Sequence, residues 1–576
     1  MIVLTFIISA LVAVNVQALS IITRDQVKDY CDSEIYCQGE LLKTVQLAEI
    51  FPDSKTFVDL YQLHDPTVTL ANFQKLMSDT GGKPNKTQVA QFVAENFHSS
   101  IDVLPWSPPD WQPDPAILKS IQDPNFREWA RQLNHIWKNL SRQMSPEILS
   151  NPQRYSAIPL ENGFVVPGGR FQETYYWDSY WVIEGLLLCG MNETAKGIIL
   201  NFLSMVNRFG FIPNGGRIYY LMRSQPPLLI PMVERYVATT GDIKFLEENI
   251  LTLEKEFAYF QREKSVNVVK NGVTYKMARY IVNSDGPRPE SYREDYKEAQ
   301  AFETDERKRI FYEDIKAGAE SGWDFSSRWF IPDKPVMGNL SDISTRNIIP
   351  VDLNAFLQRN ARLLSQFNTL LGNGAKAKKY KDIANDYQTA IDAVLWSDEL
   401  GIWLDYDIKN ERPRKFFYPS NLTPLYTKSF NMKNASFYGQ KAVDYLTAEG
   451  INTFMGGTPM SLSQTGEQWD FPNAWPPLQS IMVQGLRNTG AQSALVMAEE
   501  LATRWLRANY LGFAEYGMMF EKYNSLQPGE YGGGGEYNVQ AGFGWTNGVV
   551  LEFLNLYPGT KSSDSSDSIS RVSPES

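Results

Sequence analysis

Apolar residues recur at helical spacing through nearly the whole chain, and long connections dense in glycine, proline, tryptophan and asparagine separate one helical stretch from the next; this alternation restricts the possible fold more than any other feature of the sequence. Leu353, Phe356, Leu357 and Leu364 share one helix face, and Gly372-Asn373-Gly374 ends that helix. Tyr380, Ile383, Ala384, Tyr387, Ile391 and Val394 repeat the pattern, so the two segments are expected to pack as an antiparallel hairpin. Leu495, Ala498, Ala502 and Trp505 mark a further helix. The connections 159–181, 210–231, 283–295, 452–478 and 511–548 are too aromatic for idle linkers, because long irregular loops in compact domains are commonly functional. Helical hairpins joined in this way suggest a closed toroid whose loops gather at one mouth.

Several function classes drop out on composition. A net charge of −11 opposes the basic stripe that a nucleic-acid partner requires. The three histidines, His64, His98 and His135, lie in the first quarter of the chain and form no cluster with cysteine, so neither a zinc site nor a Cys-His or Ser-His nucleophile is expected; no metal or organic cofactor is implied. Residues 1–18, MIVLTFIISALVAVNVQA, read as a signal peptide cleaved near Ala18, which makes the protein secreted and extracellular. The alternative is a membrane anchor, but the run is shorter than about 20 apolar residues and no second apolar span follows. Six sequons, at Asn85, Asn139, Asn192, Asn339, Asn421 and Asn434, are candidate glycan acceptors on that route. In an oxidising compartment Cys31 and Cys37 can join in a small loop, leaving Cys189 as a buried, unreactive thiol. The expected organisation is one domain over 19–558, followed by a disordered Ser/Asp-rich tail, 559–576, with no membrane anchor.

The segment from Pro167 to Tyr180 packs Gly168, Gly169, Arg170, Glu173 and Asp178 among Phe171, Tyr175, Tyr176, Trp177 and Tyr180. Arginine offers a planar fork of donors to hydroxyls, carboxylates accept from them, and tryptophan stacks on the apolar face of a sugar. The same residues also fit a structural turn, with Glu173 and Asp178 capping the following helix. This segment resembles a diagnostic motif of the trehalases, and Gln468-Trp469-Asp470-Phe471-Pro472-Asn473-Ala474-Trp475-Pro476-Pro477 resembles the family's second. Asp53-Ser54-Lys55-Thr56-Phe57-Val58-Asp59, Ile212-Pro213-Asn214-Gly215-Gly216-Arg217 and Gly532 to Gly535 with Glu536-Tyr537 match in the same order, so the resemblance runs from about Asp53 to Leu556.

The resemblance implies an all-α (α/α)6 barrel with long active-site loops, and inverting hydrolysis of α,α-trehalose to two glucose molecules. Inversion needs one carboxyl to protonate the bridging oxygen and another to activate water on the opposite face, roughly 6.5–9.5 Å apart. By the resemblance the general acid maps onto Asp324, in Glu320-Ser321-Gly322-Trp323-Asp324-Phe325, and the general base onto Glu521, in Met519-Phe520-Glu521-Lys522-Tyr523. Taken alone, Asp324 can equally be a helix cap and Glu521 a partner of Lys522. Carried over as substrate contacts are Arg170, Trp177, Asp178, Asn214, Arg223, Gln225, Arg288, Glu290, Gly322 and Glu536. For any single arginine the alternative is a surface charge or a salt bridge. Rival functions are an inverting α-glucosidase for another disaccharide and a catalytically dead sugar-binding protein; the latter should lack one of the two carboxyls, and both are present.

Overall fold

The computed structural model describes residues 31–99, 102–332 and 338–563. The signal segment 1–18 and all of the tail beyond Ser563 lie outside the described residues. Thirteen helices build the body: α1 (Pro124–Leu140), α2 (Asp178–Leu188), α3 (Asn192–Phe209), α4 (Leu229–Thr240), α5 (Ile243–Glu263), α6 (Asp305–Glu320), α7 (Val351–Leu370), α8 (Gly374–Ala390), α9 (Thr423–Thr427), α10 (Ala435–Ala448), α11 (Pro476–Asn488), α12 (Gln492–Tyr516) and α13 (Gly544–Leu556). Six of them close a ring by side-to-side packing in the order α2, α4, α7, α9, α11, α13 and back to α2. The helices preceding them in the chain, α1, α3, α5, α8, α10 and α12, form the outer layer. This is the (α/α)6 barrel, and the expected α7–α8 hairpin is part of it.

Local sequence accounts for which helices lie inside. In α2 every residue from Asp178 to Leu187 is buried, as is all of α13 from Gly544 to Leu554; helices that are apolar on all sides belong in a core. Outer helices carry one apolar stripe, as in α1 with Phe126, Trp129, Leu133, Trp137 and Leu140 buried. The ring closes where α2 and α13 cross, and two glycines permit the approach: a Cβ on Gly548 would stand 2.0 Å from the Trp181 carbonyl oxygen, and one on Gly185 would stand 2.9 Å from the Gly548 Cα.

Two differences from the sequence reading bear on the site. First, α12 continues to Tyr516 and ends on Gly517 at φ 68, inside the stretch read as loop from 511. Second, a β-hairpin (β1 Ser265–Lys270, β2 Val273–Ala278) and α6 are inserted between α5 and α7. The charged sequence of α6 looks solvent-exposed, yet Phe311 to Glu320 are all buried. Their charges are satisfied: Glu320 pairs with Lys264 at 2.6 Å, and Lys316 Nζ donates to the carbonyls of Ser284, Asp285 and Gly286 at 3.1, 2.8 and 2.6 Å.

Cys31 and Cys37 are disulfide-bonded, and Cys189 is a buried free thiol that burial pushes up to about 12. Asn85, Asn139, Asn339 and Asn434 are exposed and Asn192 is partly so. Asn421 corrects the expectation for its sequon. It is fully buried, and its Nδ2, the atom a glycan would need, donates to Phe416 O at 3.1 Å and Tyr445 Oη at 3.3 Å. Among the described residues no helix is long and apolar enough to cross a membrane.

Candidate active site

The N-terminal ends of the inner helices and the loops leading into them surround one cleft of about 690 Å³, and all twelve residues singled out as catalytic or substrate-binding line it. Trp177 and Asp178 open α2, Gln225 precedes α4, Asn214 and Arg223 lie on the loop before it, and Glu521 and Glu536 lie on the loop before α13. Gly322 and Asp324 sit on the turn after the inserted α6, and Arg288 and Glu290 on the loop that Lys316 holds by its carbonyls.

The second diagnostic segment acts mainly as a brace. Asp470 accepts from Ser326 Oγ (2.8 Å), Ser327 N (2.7 Å) and Ser327 Oγ (2.8 Å), which fixes the turn beyond Asp324. Gln468 Nε2 donates to the Asp324 carbonyl at 2.5 Å while its Oε1 accepts from Lys522 Nζ at 2.8 Å, so one amide ties the segments carrying Asp324 and Glu521 together. Antiparallel pairing of Asn473 with Asn524 and Ala474 with Tyr523 completes the link. Trp469 stacks on Trp475 at 3.9 Å and on Trp323 at 5.5 Å, and Trp177 leans on Trp469 at 5.8 Å, giving the cleft an aromatic wall. Gly322 makes room for it: at φ +78 its missing Cβ would stand 2.7 Å from the Trp177 ring.

Burial pushes the Asp324 carboxyl up to about 6, against the pull of Arg288 and Arg223 and with a push from Glu521. Burial raises Glu521 as well. Here, however, Lys522, the Tyr537 hydroxyl at 2.8 Å from Oε1, the Gln540 amide and Arg170 all oppose the shift. A third carboxyl, Asp178, is raised further by burial and by the charges of Glu521 and Asp324. Glu290 is the opposite case: burial would raise it, but Arg223 and Arg288 hold it below the usual carboxylate range.

The three arginines are salt-bridged and in the cleft at once. Arg170 Nη2 reaches Asp53 at 2.7 Å and its guanidinium lies 4.8 Å over the Tyr537 ring. Arg223 donates to Asn214 Oδ1 at 2.9 Å and Glu290 Oε1 at 2.6 Å. Arg288 grips Asp295 through Nε and Nη2 and reaches Glu536 Oε1 at 2.7 Å. These contacts orient each guanidinium, while Arg170 Nε and Glu290 Oε2 are buried polar atoms without a hydrogen-bond partner among the described residues. Gln225 Oε1 accepts from the Trp177 amide at 3.1 Å and so supports the aromatic wall.

Sequence reasoning did not single out Tyr537, Asp295 or Lys55. Tyr537 follows the chosen Glu536, and nothing local reveals that its hydroxyl meets a carboxylate sixteen residues earlier. Lys55, in a stretch already matched by the resemblance, is buried against Glu173 at 2.9 Å and Asp59 at 2.6 Å, so Glu173 serves this pair and accepts from Tyr175 Oη at 2.6 Å instead of capping α2. Among the described residues no group of three His, Cys, Asp or Glu side chains is placed to hold a metal ion. An acid held near neutrality, a second carboxyl among donors, and aromatic faces with fixed guanidiniums suit acid/base cleavage of a glycosidic bond.

Comparison with known proteins agrees with this geometry. The family model described as Trehalase matches residues 49–558. A trehalase from Pimpla hypochondriaca is 64% identical over 93% of this chain and 92% of its own length. A human trehalase is 46% identical over 92% of this chain and 90% of its own. Among solved structures, a neutral trehalase from Saccharomyces cerevisiae superposes with a TM-score of 0.55 at 23% identity, covering 69% of this chain and 75% of its own, a likeness of fold.

Proposed function

Since the chain belongs to the trehalase family of glycoside hydrolases and hydrolyses α,α-trehalose to two glucose molecules, we propose that Asp324 gives its proton to the bridging oxygen while Glu521 takes one from the attacking water. The observation that carries this division is the unequal company of two carboxyls in one cleft. Asp324 keeps a proton up to about pH 6, whereas Glu521 has a lysine and a tyrosine hydroxyl that favour its ionised form. Water attack from the face opposite the leaving group then inverts the anomeric carbon in a single displacement. Arg170, Arg223 and Arg288, with Asp178, Asn214, Gln225, Glu290 and Glu536, hold the sugar hydroxyls, and Trp177 backs a ring face. A pocket of fixed polar atoms rejects disaccharides of other linkage, because a displaced hydroxyl leaves buried groups unpaired.

Residues 1–18 direct secretion on this reading, and glycans attach at exposed sequons. The Cys31–Cys37 disulfide supports an oxidising route.

The mechanistic test uses α-glucosyl fluoride, whose leaving group needs little protonation. Asp324→Asn should retain far more activity on the fluoride than on trehalose, and Glu521→Gln should lose both. The reverse ranking would exchange the two roles. NMR of the first turnover should show one β-glucose and one α-glucose; α-glucose alone would exclude inversion.

A further inference from the structure

The bore of the helix ring opens a second time at the end opposite the catalytic cleft. All six inner helices line this axial well of about 990 Å³ through the later part of their length, with Glu184 on α2, Arg235 on α4, Arg359 and Arg362 on α7, Lys428 just past α9 and Glu552 on α13. Ten residues of helix separate Asp178 in the cleft from Leu188 in the well, about 15 Å of rise. The two openings are therefore distinct sites at opposite ends of one ring.

The charges in the well do not cancel. Arg235 Nε pairs with Glu184 Oε1 at 2.5 Å, and Arg359 Nη2 stands 3.5 Å from Glu234 Oε2. Arg362, one turn from Arg359 on the same face of α7, donates through Nη2 to the Thr427 carbonyl. Its Nε is buried without a hydrogen-bond partner among the described residues, and so are Arg359 Nη1 and the carboxyl oxygens Glu234 Oε2 and Glu552 Oε2. Burial and the neighbouring Arg359 lower Arg362 to about 10, so it stays charged at neutral pH. Burial and the Glu184 charge push Glu552 up to about 8, so that carboxyl is neutral there. Lys428, exposed at the rim with a left-handed backbone at φ 58, adds another cation beside the carbonyl that Arg362 holds.

A buried N–H without an acceptor is costly, and two guanidiniums one turn apart repel each other, so a fold that keeps both has a use for them. An oxyanion satisfies both demands, and guanidinium groups match its oxygens geometrically. A carboxylate presents two oxygens, whereas a phosphate presents at least three, enough for Arg359, Arg362 and Lys428 together. We propose that the axial well binds a phosphate group, free or carried on a small sugar.

The test measures thermal stability in inorganic phosphate and in glucose 6-phosphate against sodium chloride at equal ionic strength, since a ligand of the folded state raises Tm in proportion to its occupancy. The wild type should gain several degrees with a saturable dose dependence that chloride does not produce. Arg362→Met should abolish the gain while hydrolysing trehalose within about threefold of wild type. Lys428→Asn, which tolerates the left-handed backbone, should weaken binding several-fold and decides the matter if Arg362→Met does not fold. The cleft variant Arg223→Ala should keep the gain. At least tenfold tighter binding of glucose 6-phosphate assigns a phosphorylated sugar, and equal affinity assigns the free ion. No gain over chloride, or a gain that survives Arg362→Met and vanishes in Arg223→Ala, would overturn the proposal.

Discussion

Asp324 and Glu521 are both lifted by burial, and their neighbours decide which one still holds a proton at working pH. For Asp324 the linkage to stability follows from direction. Its folded pKa of about 6 lies above the ordinary 3.8, so the folded state binds this proton more tightly than the unfolded chain does. The resulting stability is present below 3.8 and is lost as pH rises through 6. Asp324→Asn removes that loss and should be more stable than wild type near pH 7.5, by on the order of 2–3 kcal/mol, with little difference near pH 4. Chemical denaturation at the two pH values checks this; equal stability at both would contradict the raised carboxyl. In kinetics the same group should bring kcat/KM down as pH rises through about 6, and Tyr537→Phe, which takes a donor from Glu521, should move the acidic limb upward. The arginines show why composition left two readings open, since Arg170, Arg223 and Arg288 are salt-bridged and line the cleft at once. Arg288→Ala would leave Asp295, which is fully buried, without its bidentate partner, so it should lose more than a hundredfold in kcat/KM, and Arg288→Lys should not recover it. Near-normal turnover by either variant would show that this guanidinium does not touch substrate.

At the scale of elements, the turn that carries Asp324 is anchored from outside the cleft. Arg328, fully buried between the rings of Trp323 and Trp329, holds Asp352 at the start of α7 and Asp405 across the chain. Asp470 clamps the same turn from the segment before α11. The position of Asp324 thus depends on side chains up to 146 residues away in sequence, Asp470 among them. The crossing of α2 and α13 depends on absent atoms instead. Gly548→Ala places a methyl 2.0 Å from the Trp181 carbonyl oxygen, backbone that cannot rotate aside, so α13 must shift. A loss of about 1–3 kcal/mol is expected, with a fall in activity because Trp177 and Trp545 at the helix starts shift with it; unchanged Tm would show that the ring can open there. An outer helix with an apolar stripe, such as α8, was legible because the stripe alone states which side is covered. The inserted α6 was not, because its buried charges find partners on α5 and on the 284–286 carbonyls, which no local pattern reveals.

At the scale of the whole molecule, burial sorts the surface that the cell can modify. Expressed through a secretory route, the protein should carry glycans among Asn85, Asn139, Asn339 and Asn434, less fully at Asn192, and none at Asn421; peptide mass spectrometry after deglycosylation in heavy-oxygen water reads this directly, and occupancy at Asn421 would mean modification before folding. The sequence by itself determined the helical class, since 3.6-residue periodicity needs no partner to be recognised. It determined the family too, and with it the twelve cleft residues, because those contacts sit in motifs whose order and spacing the chain states directly. Tertiary structure alone decided the rest: which helix packs beside which in the ring, that one sequon is buried, that Tyr537 serves Glu521, and that the far end of the ring gathers Arg235, Arg359 and Arg362. Each of these depends on which groups meet across long sequence separations, and on the low-polarity surroundings that make an unpaired donor costly and a carboxyl hold its proton.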